Sequence, residues 1–452
     1  MDAKKMRGGV LRAGMIVPVF LVALLSLQGC WNLPLDGLYP RNDLGARPNK
    51  EGATGVKSDL LHFAQVTDVH IVDEDNPLRL ENIRLWINSP YDFGDLDGLI
   101  QPISRDQDIY SGRIWDAVVR SINEGHEERP FEFTMSTGDH TDTGLKSEME
   151  WFIGITDGII PDSLMEAMED GSMAAVEPAG LNVPWYAALG NHDVEYQGTI
   201  NNETVVKCLL QPFGDTGNLI NMRSAVDLYQ ETFSAPWWHG MAEQPPSMTA
   251  DSYGYYAFNA GEYVRCIVLN TAIYNFYGKI PKETLSAGCL DRNQYGWMLG
   301  EIEANRDRLC IIFSHHSPTD GFDDSQSDIS AKELMKTLCL YDNVIAHING
   351  HSHVNKIVPV KYRGLPGGYW NINTGAIIEW PQEWRDITIR DNGDGTGSLS
   401  CRMVRHGDDG CLDIAYGDAD ARHSAREGEK TDRDVALRFR VPAAVQTRIA
   451  SF

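Results

Sequence analysis

Five short polar motifs in this sequence carry the residue types that bind divalent or trivalent metal ions. They are Asp68-Val69-His70, Gly138-Asp139-His140-Thr141-Asp142, Gly190-Asn191-His192-Asp193, Ser314-His315-His316 and Gly350-His351-Ser352-His353. Carboxylate oxygens, imidazole nitrogens and an amide oxygen can together hold two cations when one carboxylate bridges them. The motifs therefore predict a centre of two metal ions, with Fe, Mn and Zn all open as candidates.

The spacing within the motifs indicates which side chains can bind the same metal ion. Side chains alternate along an extended chain, so Asp68 and His70 are expected on one side, and so are His351 and His353. Asp139 is the natural bridging carboxylate. A lone Asp-X-His motif usually has a structural role. Five motifs in this order, each following an apolar segment, favour metal binding instead.

Each motif follows a short apolar segment that has the character of a β-strand. The segments cover residues 61–66, 131–136, 183–189, 308–313 and 344–349. In α/β sheets, binding sites lie beyond the carboxyl ends of the strands. Five such junctions predict one shared cleft, and a helical pattern over residues 114–122 supplies a crossover between the first two strands.

In this order the motifs resemble the signature of the calcineurin-like metallophosphoesterase superfamily, over residues 60–389. The resemblance implies an α/β fold, a four-layer α/β/β/α sandwich with the metals at the strand ends. It implies a first metal site formed by Asp68, His70, Asp139 and His353, and a second formed by Asp139, Asn191, His315 and His351. It also implies that His192 contacts the phosphate and protonates the leaving oxygen.

Three neighbouring side chains are expected to support the ligands. Many members of the superfamily show His-X-Pro, which would select His316 as the ligand, but we take His315 because it stands where the strand ends. Asp142 is expected to accept a hydrogen bond from a ligand rather than to bind metal. Asp193 is expected either to orient His192 or to form a salt bridge elsewhere.

The predicted activity is hydrolysis of a small phosphate mono- or diester by a hydroxide that bridges the two metals, without a covalent phosphoenzyme. Two alternatives are a nuclease and a non-catalytic surface-binding lipoprotein that keeps the fold. The net charge of −25 and the lack of a basic, aromatic-interleaved stretch disfavour nucleic acid as a partner. The presence of all seven ligands disfavours loss of catalysis.

The first thirty residues indicate export. Basic residues precede an apolar run over residues 15–27, which is the layout of a secretory signal. The run ends in Leu27-Gln28-Gly29-Cys30, which resembles the bacterial lipobox. We expect a signal peptide over 1–29, lipid attachment at Cys30, and an enzyme anchored to a membrane of the bacterial cell envelope. An ordinary signal peptide or a membrane span are the alternatives, although the run is short for a span.

The composition of the remaining sequence suggests three segments. We expect a flexible tether over residues 30–58 and the catalytic domain over residues 59–390, with insertions near 72–111 and 196–253. We expect a C-terminal hairpin and tail over residues 391–452. The cysteines show no spacing typical of a thiolate metal site, so we expect no catalytic role for them. Disulfides between Cys401 and Cys411, or between Cys208 and Cys289, are compatible with an oxidising compartment.

Overall fold

The computed structural model describes residues 37–49, 55–86, 104–201, 207–208, 210–231, 238–241, 254–273, 286–418 and 422–451. The predicted signal peptide and Cys30 lie outside the described residues, as do parts of both predicted insertions. None of the helices described has the length and apolar character that a membrane span requires.

Two large β-sheets form the centre of the molecule. The strands are β1 (Tyr39–Arg41), β2 (Ser58–Val66), β3 (Phe133–Ser136), β4 (Trp185–Ala187), β5 (Glu195–Tyr196), β6 (Ile200–Asn201), β7 (Tyr256–Ala260), β8 (Val264–Val268), β9 (Leu309–Phe313), β10 (Val344–Asn349), β11 (Lys356–Val360), β12 (Tyr369–Asn373), β13 (Glu383–Asp391), β14 (Thr396–Arg405) and β15 (Val435–Arg440). The first sheet has the order β1-β15-β14-β13-β2-β3-β4, and the second has the order β11-β12-β10-β9-β8-β7. Strands β5 and β6 form a separate two-stranded sheet.

Helices cover the outer faces of both sheets. The α-helices are α1 (Leu80–Trp86), α2 (Ser111–Glu128), α3 (Lys146–Asp157), α4 (Asp162–Asp170), α5 (Met222–Glu231), α6 (Arg292–Ala304), α7 (Ala331–Leu338), α8 (Asp409–Gly417), α9 (His423–Glu427) and α10 (Ala443–Ile449). Met298 of α6 and Leu334 of α7 pack in one apolar cluster with Ile312 of the second sheet. On the opposite side of the molecule, Trp384 of β13 donates a hydrogen bond of 3.0 Å to Ser121 of α2.

The inner faces of the sheets pack against each other. The rings of Phe63 in β2 and Phe313 in β9 meet with their centroids 6.0 Å apart. All five residues of β9 are buried, as expected for a strand that is covered on both faces. The layers are therefore helix, sheet, sheet and helix, which confirms the predicted four-layer α/β/β/α sandwich.

The sheet topology places the five motifs at one edge. Strands β2, β3 and β4 are adjacent and parallel, and so are β9 and β10 in the other sheet. Main-chain hydrogen bonds join the loops that follow them, from Asp68 N to Gly138 O at 2.9 Å and from Gly350 N to His315 O at 3.0 Å. The loops that carry the motifs are thereby held together at the carboxyl ends of the strands.

The first sheet also includes strands from outside residues 59–390, the predicted catalytic domain. The segment predicted as a hairpin and tail supplies β14 and β15, and the segment predicted as a tether supplies β1. Strand β15 pairs in antiparallel fashion with β14 and in parallel with β1, where Tyr39 lies opposite Val435. The buried residues Val435, Leu437 and Phe439 explain why this late segment joins the sheet.

Neither of the two disulfides compatible with the sequence forms among the described residues. Cys401 and Cys411 are both buried and unbridged, whereas Cys208 is exposed and unbridged. Burial raises the pKa of Cys401 to about 11 and that of Cys411 to about 12. A thiol with such a pKa is a poor nucleophile at neutral pH, in keeping with packing as the role of these two side chains.

Candidate metal centre

Two buried carboxylates, from different strand ends, lie at the centre of a group of histidines. Oδ2 of Asp139 is 3.0 Å from Nε2 of His315 and 3.8 Å from Nε2 of His70. Oδ1 of Asp68 is 3.2 Å from Nε2 of His353 and 4.0 Å from Nε2 of His315. Asp139 therefore faces histidines from both predicted metal sites, which is the position that a bridging carboxylate needs.

Sets of three side chains in this region have ligand atoms within 4.8 Å of one another. The sets are Asp68, His70 and His353; Asp68, Asp139 and His315; His315, His316 and His351; and His70, Asp142 and His192. Because the sets share members, they form one continuous cluster. Six of the seven predicted ligands belong to it, and the seventh, Asn191, lines the same cleft as Asp139.

Unpaired buried atoms show that this cluster fits metal ions. Nε2 of His70 and Oδ1 of Asn191 are buried and make no hydrogen bond to any described part of the protein. Buried polar atoms normally have a partner, since leaving one unpaired costs free energy. Both atoms are good ligands for Fe, Mn or Zn, so a pair of such ions would supply the missing partners.

The backbone at the predicted ligands is unusual. Positive φ angles between 46° and 71° occur at Asp68, His70, Asp139, His351 and His353. The left-handed region is rarely occupied by residues other than glycine, and such residues concentrate at functional sites. The expectation that Asp68-X-His70 and His351-X-His353 would be extended was therefore wrong. Tight left-handed turns, rather than strand alternation, bring Asp68 and His70 into the same set of ligand atoms.

Hydrogen bonds at the far side of each ring orient three of the histidines. Nδ1 of His70 is 3.1 Å from Oδ1 of Asp142, and Nδ1 of His315 is 2.8 Å from the carbonyl oxygen of Thr137. Such partners set the tautomer so that Nε2 remains the ligand atom. Asp142 thus has the contact expected of a residue that supports a ligand.

His353 has an equivalent partner that the sequence reasoning missed. Its Nδ1 is 2.8 Å from Oε2 of Glu379, a buried carboxylate. Glu379 follows the apolar residues 376–378 after the end of β12. An acidic residue directly after an apolar run could have been recognised as a buried carboxylate that needs a partner, although the sequence does not say which one.

The neighbouring histidine His316 has both ring nitrogens occupied. Its Nδ1 is 2.9 Å from the hydroxyl of Thr271, and its Nε2 is 3.0 Å from the carbonyl oxygen of Ser286. Burial lowers the pKa of His316 well below its usual value, so the ring is neutral. This arrangement favours His315 over His316 as the ligand.

The ring of His192 faces the cleft beside the cluster. Its Nδ1 donates to the carbonyl oxygen of Asp142, and its ring meets that of His70 edge to face at 4.7 Å. Nε2 is the ring atom left for a substrate. The backbone of His192 is held by Asp139, whose Oδ1 accepts its N–H at 2.9 Å, and by Thr141, whose hydroxyl donates to its carbonyl at 2.7 Å.

Asp193 has a different role from orienting His192. Its carboxylate accepts hydrogen bonds from the backbone N–H groups of Asp139, His140, Thr141 and Gly190, at distances from 2.7 to 3.1 Å. The first three donors belong to one motif and the fourth to another. Asp193 therefore ties together the two loops that present Asp139 and Asn191.

Charges within the cluster shift the pKa of its members strongly. Burial raises the pKa of Asp68, but His353 and His315 outweigh burial and lower it to about 2. Burial lowers the pKa of His353, but Glu379 and Asp68 raise it to about 10. In the same way the charge of Asp139 outweighs burial and raises the pKa of His315 to about 9. These nitrogens attract cations, and a metal ion would compete with a proton for each of them.

The cluster opens into a cleft of about 560 Å³, a volume that suits a small organic ligand. Asp139, Asn191, His192, His351 and His353 contribute to its wall. Cationic side chains face them from elsewhere in the chain, namely Arg105, Arg422 and Arg426. The cleft therefore combines metal ligands with arginines, of which Arg105 and Arg426 are paired with the carboxylate of Glu379.

The chain matches one known protein family, and some solved structures resemble it more distantly. The calcineurin-like phosphoesterase family matches residues 61–355. Among solved structures, a dimetal phosphatase from Danio rerio is 12% identical, covers 77% of this chain and 98% of its own, and has a TM-score of 0.40. A purple acid phosphatase from yellow lupin (Lupinus luteus) seeds is also 12% identical, covers 86% of this chain and 55% of its own, and has a TM-score of 0.39. No curated protein matches the chain. The family match spans more than half of the sequence, and the chain belongs to the calcineurin-like phosphoesterase family.

Proposed function

We propose that this protein hydrolyses a small phosphate mono- or diester with the help of two metal ions. The observation that carries the proposal is the set of unpaired buried ligand atoms around Asp68 and Asp139, in a chain of this family. Two bound cations and the side chain of Arg422 in the cleft would supply positive charge to an anionic substrate. The acidic net charge of −25 weighs against nucleic acid as that substrate.

Seven side chains would hold the metals. We assign Asp68, His70, Asp139 and His353 to the first ion and Asp139, Asn191, His315 and His351 to the second. When bound, the two ions would polarise the phosphoryl group and lower the pKa of water so that it can act as the nucleophile. The positions of His70 and His315 near the same oxygen of Asp139 support the bridging role of that carboxylate.

His192 would serve as the general acid. Its Nδ1–H donates to the carbonyl oxygen of Asp142, which leaves Nε2–H to protonate the leaving oxygen. As a general acid His192 would act as the imidazolium, which carries a proton on each ring nitrogen. The hydrogen bonds that fix the backbone of His192 would keep this proton in place at the cleft.

The position of the enzyme in the cell is proposed from the sequence alone. The basic start, the apolar run over 15–27 and the lipobox-like residues ending at Cys30 support export and lipid attachment at that cysteine. The substrate would then be a phosphate ester outside the cytoplasm.

A panel assay tests the proposed activity. The full chain is loaded with Mn, Fe or Zn, and hydrolysis of nitrophenyl phosphate and bis-nitrophenyl phosphate is measured. We expect hydrolysis of at least one ester, and loss of that activity in Asp139→Asn, which removes the bridging charge. A chain that binds two ions yet hydrolyses neither ester with any of the metals would contradict the proposal and favour a non-catalytic role.

A further inference from the structure

A single buried guanidinium lies behind two of the candidate ligands of the first metal. Nη1 of Arg105 is 3.0 Å from Oδ1 of Asp142, and Nε of Arg105 is 3.3 Å from Oε1 of Glu379. These are the carboxylates that contact Nδ1 of His70 and Nδ1 of His353. The side chain of Arg105 is only 3% exposed, so water does not compete effectively for its donors.

We propose that Arg105 is a positioning residue that sets the geometry of the first metal site. This inference rests on the proposed function, because it assumes that His70 and His353 bind one ion. A guanidinium is planar and rigid, so donors at Nη1 and Nε fix the separation of the two carboxylates that they bind. Each carboxylate fixes the rotation of one imidazole, and Arg105 thereby aims both Nε2 atoms at the same point.

The surrounding charges make this arrangement dependent on Arg105. Asp142 receives its guanidinium contact from Arg105, while Glu379 is also held by Nη1 of Arg426 at 2.6 Å. Loss of Arg105 would leave the buried carboxylate of Asp142 with a weaker counter-charge, and an uncompensated buried charge is costly. Asp142 would turn away from Nδ1 of His70, and His70 would lose its orientation.

Arg105 belongs to the same ionic network as a second buried arginine, which provides a matched control. The side chain of Arg79 is fully buried, and its Nη2 is 2.6 Å from Oδ2 of Asp108. Arg105 contacts the other oxygen of Asp108 at 3.3 Å. The hydrogen bonds of Arg79 go to Asp108 and Glu74, neither of which touches a candidate ligand. Substitution of Arg79 therefore removes a nearby positive charge from Asp142 but leaves the hydrogen bonds of Arg105 to Asp142 and Glu379 in place.

The test compares metal binding and stability in Arg105→Gln, Arg105→Lys and Arg79→Gln. Each full-length chain is stripped of metal and titrated with Zn²⁺ or Mn²⁺ against a chromogenic chelator, and its thermal unfolding is measured without metal. For Arg105→Gln we expect one of the two ions to bind about 10–100-fold more weakly, as for other residues that orient ligands, and the other ion to bind normally. Arg79→Gln should bind both ions as tightly as the wild type, even if its melting temperature falls as much as that of Arg105→Gln.

Arg105→Lys separates geometry from charge and remains informative if Arg105→Gln does not fold. Lysine keeps the positive charge but cannot bond both carboxylates in a fixed plane, so we expect roughly tenfold weaker binding of one ion. Wild-type affinity in Arg105→Lys would show that charge alone suffices and would overturn the proposal. Equal losses of affinity in Arg105→Gln and Arg79→Gln would overturn it as well. A wild-type chain that binds no metal would instead refute the proposed function.

Discussion

Asn191 and His192 are neighbours in the chain but contribute differently to the proposed centre. Asn191 presents an unpaired amide oxygen, whereas His192 presents a ring nitrogen to the cleft. We expect Asn191→Ala to lower the occupancy of the second metal and His192→Ala to leave both metals bound. Elemental analysis of the two variants measures this difference directly.

The kinetics of His192→Ala test its role as the acid. Loss of a general acid should slow hydrolysis on the order of 10²–10⁴-fold for esters with poor leaving groups, and much less for nitrophenyl esters, which leave without a proton. The measurement is kcat for one alkyl and one nitrophenyl ester. Equal losses for both esters, with the metal content intact, would mean that His192 positions the phosphate and does not donate the proton.

The histidine doublet gives a second prediction at the residue scale. His315→Ala should remove the second metal, because Nε2 of His315 faces Asp139. His316→Ala should retain both metals and lose only stability, since its ring nitrogens are bound to Thr271 and Ser286. Metal content and melting temperature of both variants decide between them. The reverse pattern would make His316 the ligand.

Sequence reasoning could identify the ligand candidates and the supporting residue Asp142, but not the partners of Glu379 and Arg105. Asp68, Asp139 and their histidines stand in short motifs, where local spacing carries the information. Glu379 and Arg105 act through contacts between segments that are 274 residues apart, and nothing in their local sequence indicates the partner. Such residues emerge only when the fold brings the segments together.

The turn between β5 and β6 shapes the site through one glycine. Gly198 has a φ of 63°, and its carbonyl oxygen accepts a hydrogen bond of 2.9 Å from Nδ2 of Asn191. A Cβ atom at this position would lie 2.2 Å from Cδ2 of His192. The loop can therefore pass this close to the His192 ring only if residue 198 has no side chain.

We predict that Gly198→Ala disturbs the site, and Gly171→Ala serves as the control. Gly171, which ends α4, also has a positive φ, but a Cβ atom there would meet nothing within 4 Å. Both variants should lose about 1–2 kcal/mol of unfolding free energy from the left-handed backbone. Only Gly198→Ala should also displace His192 and lower kcat. Unchanged kcat in Gly198→Ala, measured beside urea unfolding of both variants, would argue against a fixed position for His192.

The strands that precede the motifs were predictable because each is a short, buried apolar run. The strands that close the first sheet were not, because β1 and β15 are recognised only through their pairing with distant partners. Tyr39 and Val435 lie opposite each other although they are almost 400 residues apart in the sequence. A pattern of alternating residues such as 435–440 is too short to reveal its position in a sheet.

At the scale of the whole molecule, the pairing of β1 with β15 limits the distance between Cys30 and the folded part of the chain. Residues 31–38 alone separate Cys30 from β1, so their reach is at most about 30 Å even when fully extended. Lipid attachment at Cys30 would therefore hold the enzyme next to the membrane surface. We therefore propose that the enzyme meets its substrate close to the membrane surface.

We predict that the signal peptide is removed before Cys30 and that Cys30 is modified with lipid. The wild-type chain expressed in a bacterium should begin at a lipid-modified Cys30, and Cys30→Ser should accumulate as the unprocessed precursor. Mass spectrometry of the native N-terminus distinguishes the two forms. An unmodified N-terminus downstream of Cys30 would indicate an ordinary signal peptide instead.

The central claim is that two metal ions in the Asp68 and Asp139 cluster carry out the reaction, and metal analysis combined with activity tests it most directly. The purified full chain should contain about two transition-metal ions, lose its hydrolysis of the active nitrophenyl ester when a chelator removes them, and regain it when they are restored. Asp139→Asn should bind less metal and should not recover. Full activity in a preparation from which all metal has been removed would contradict the account.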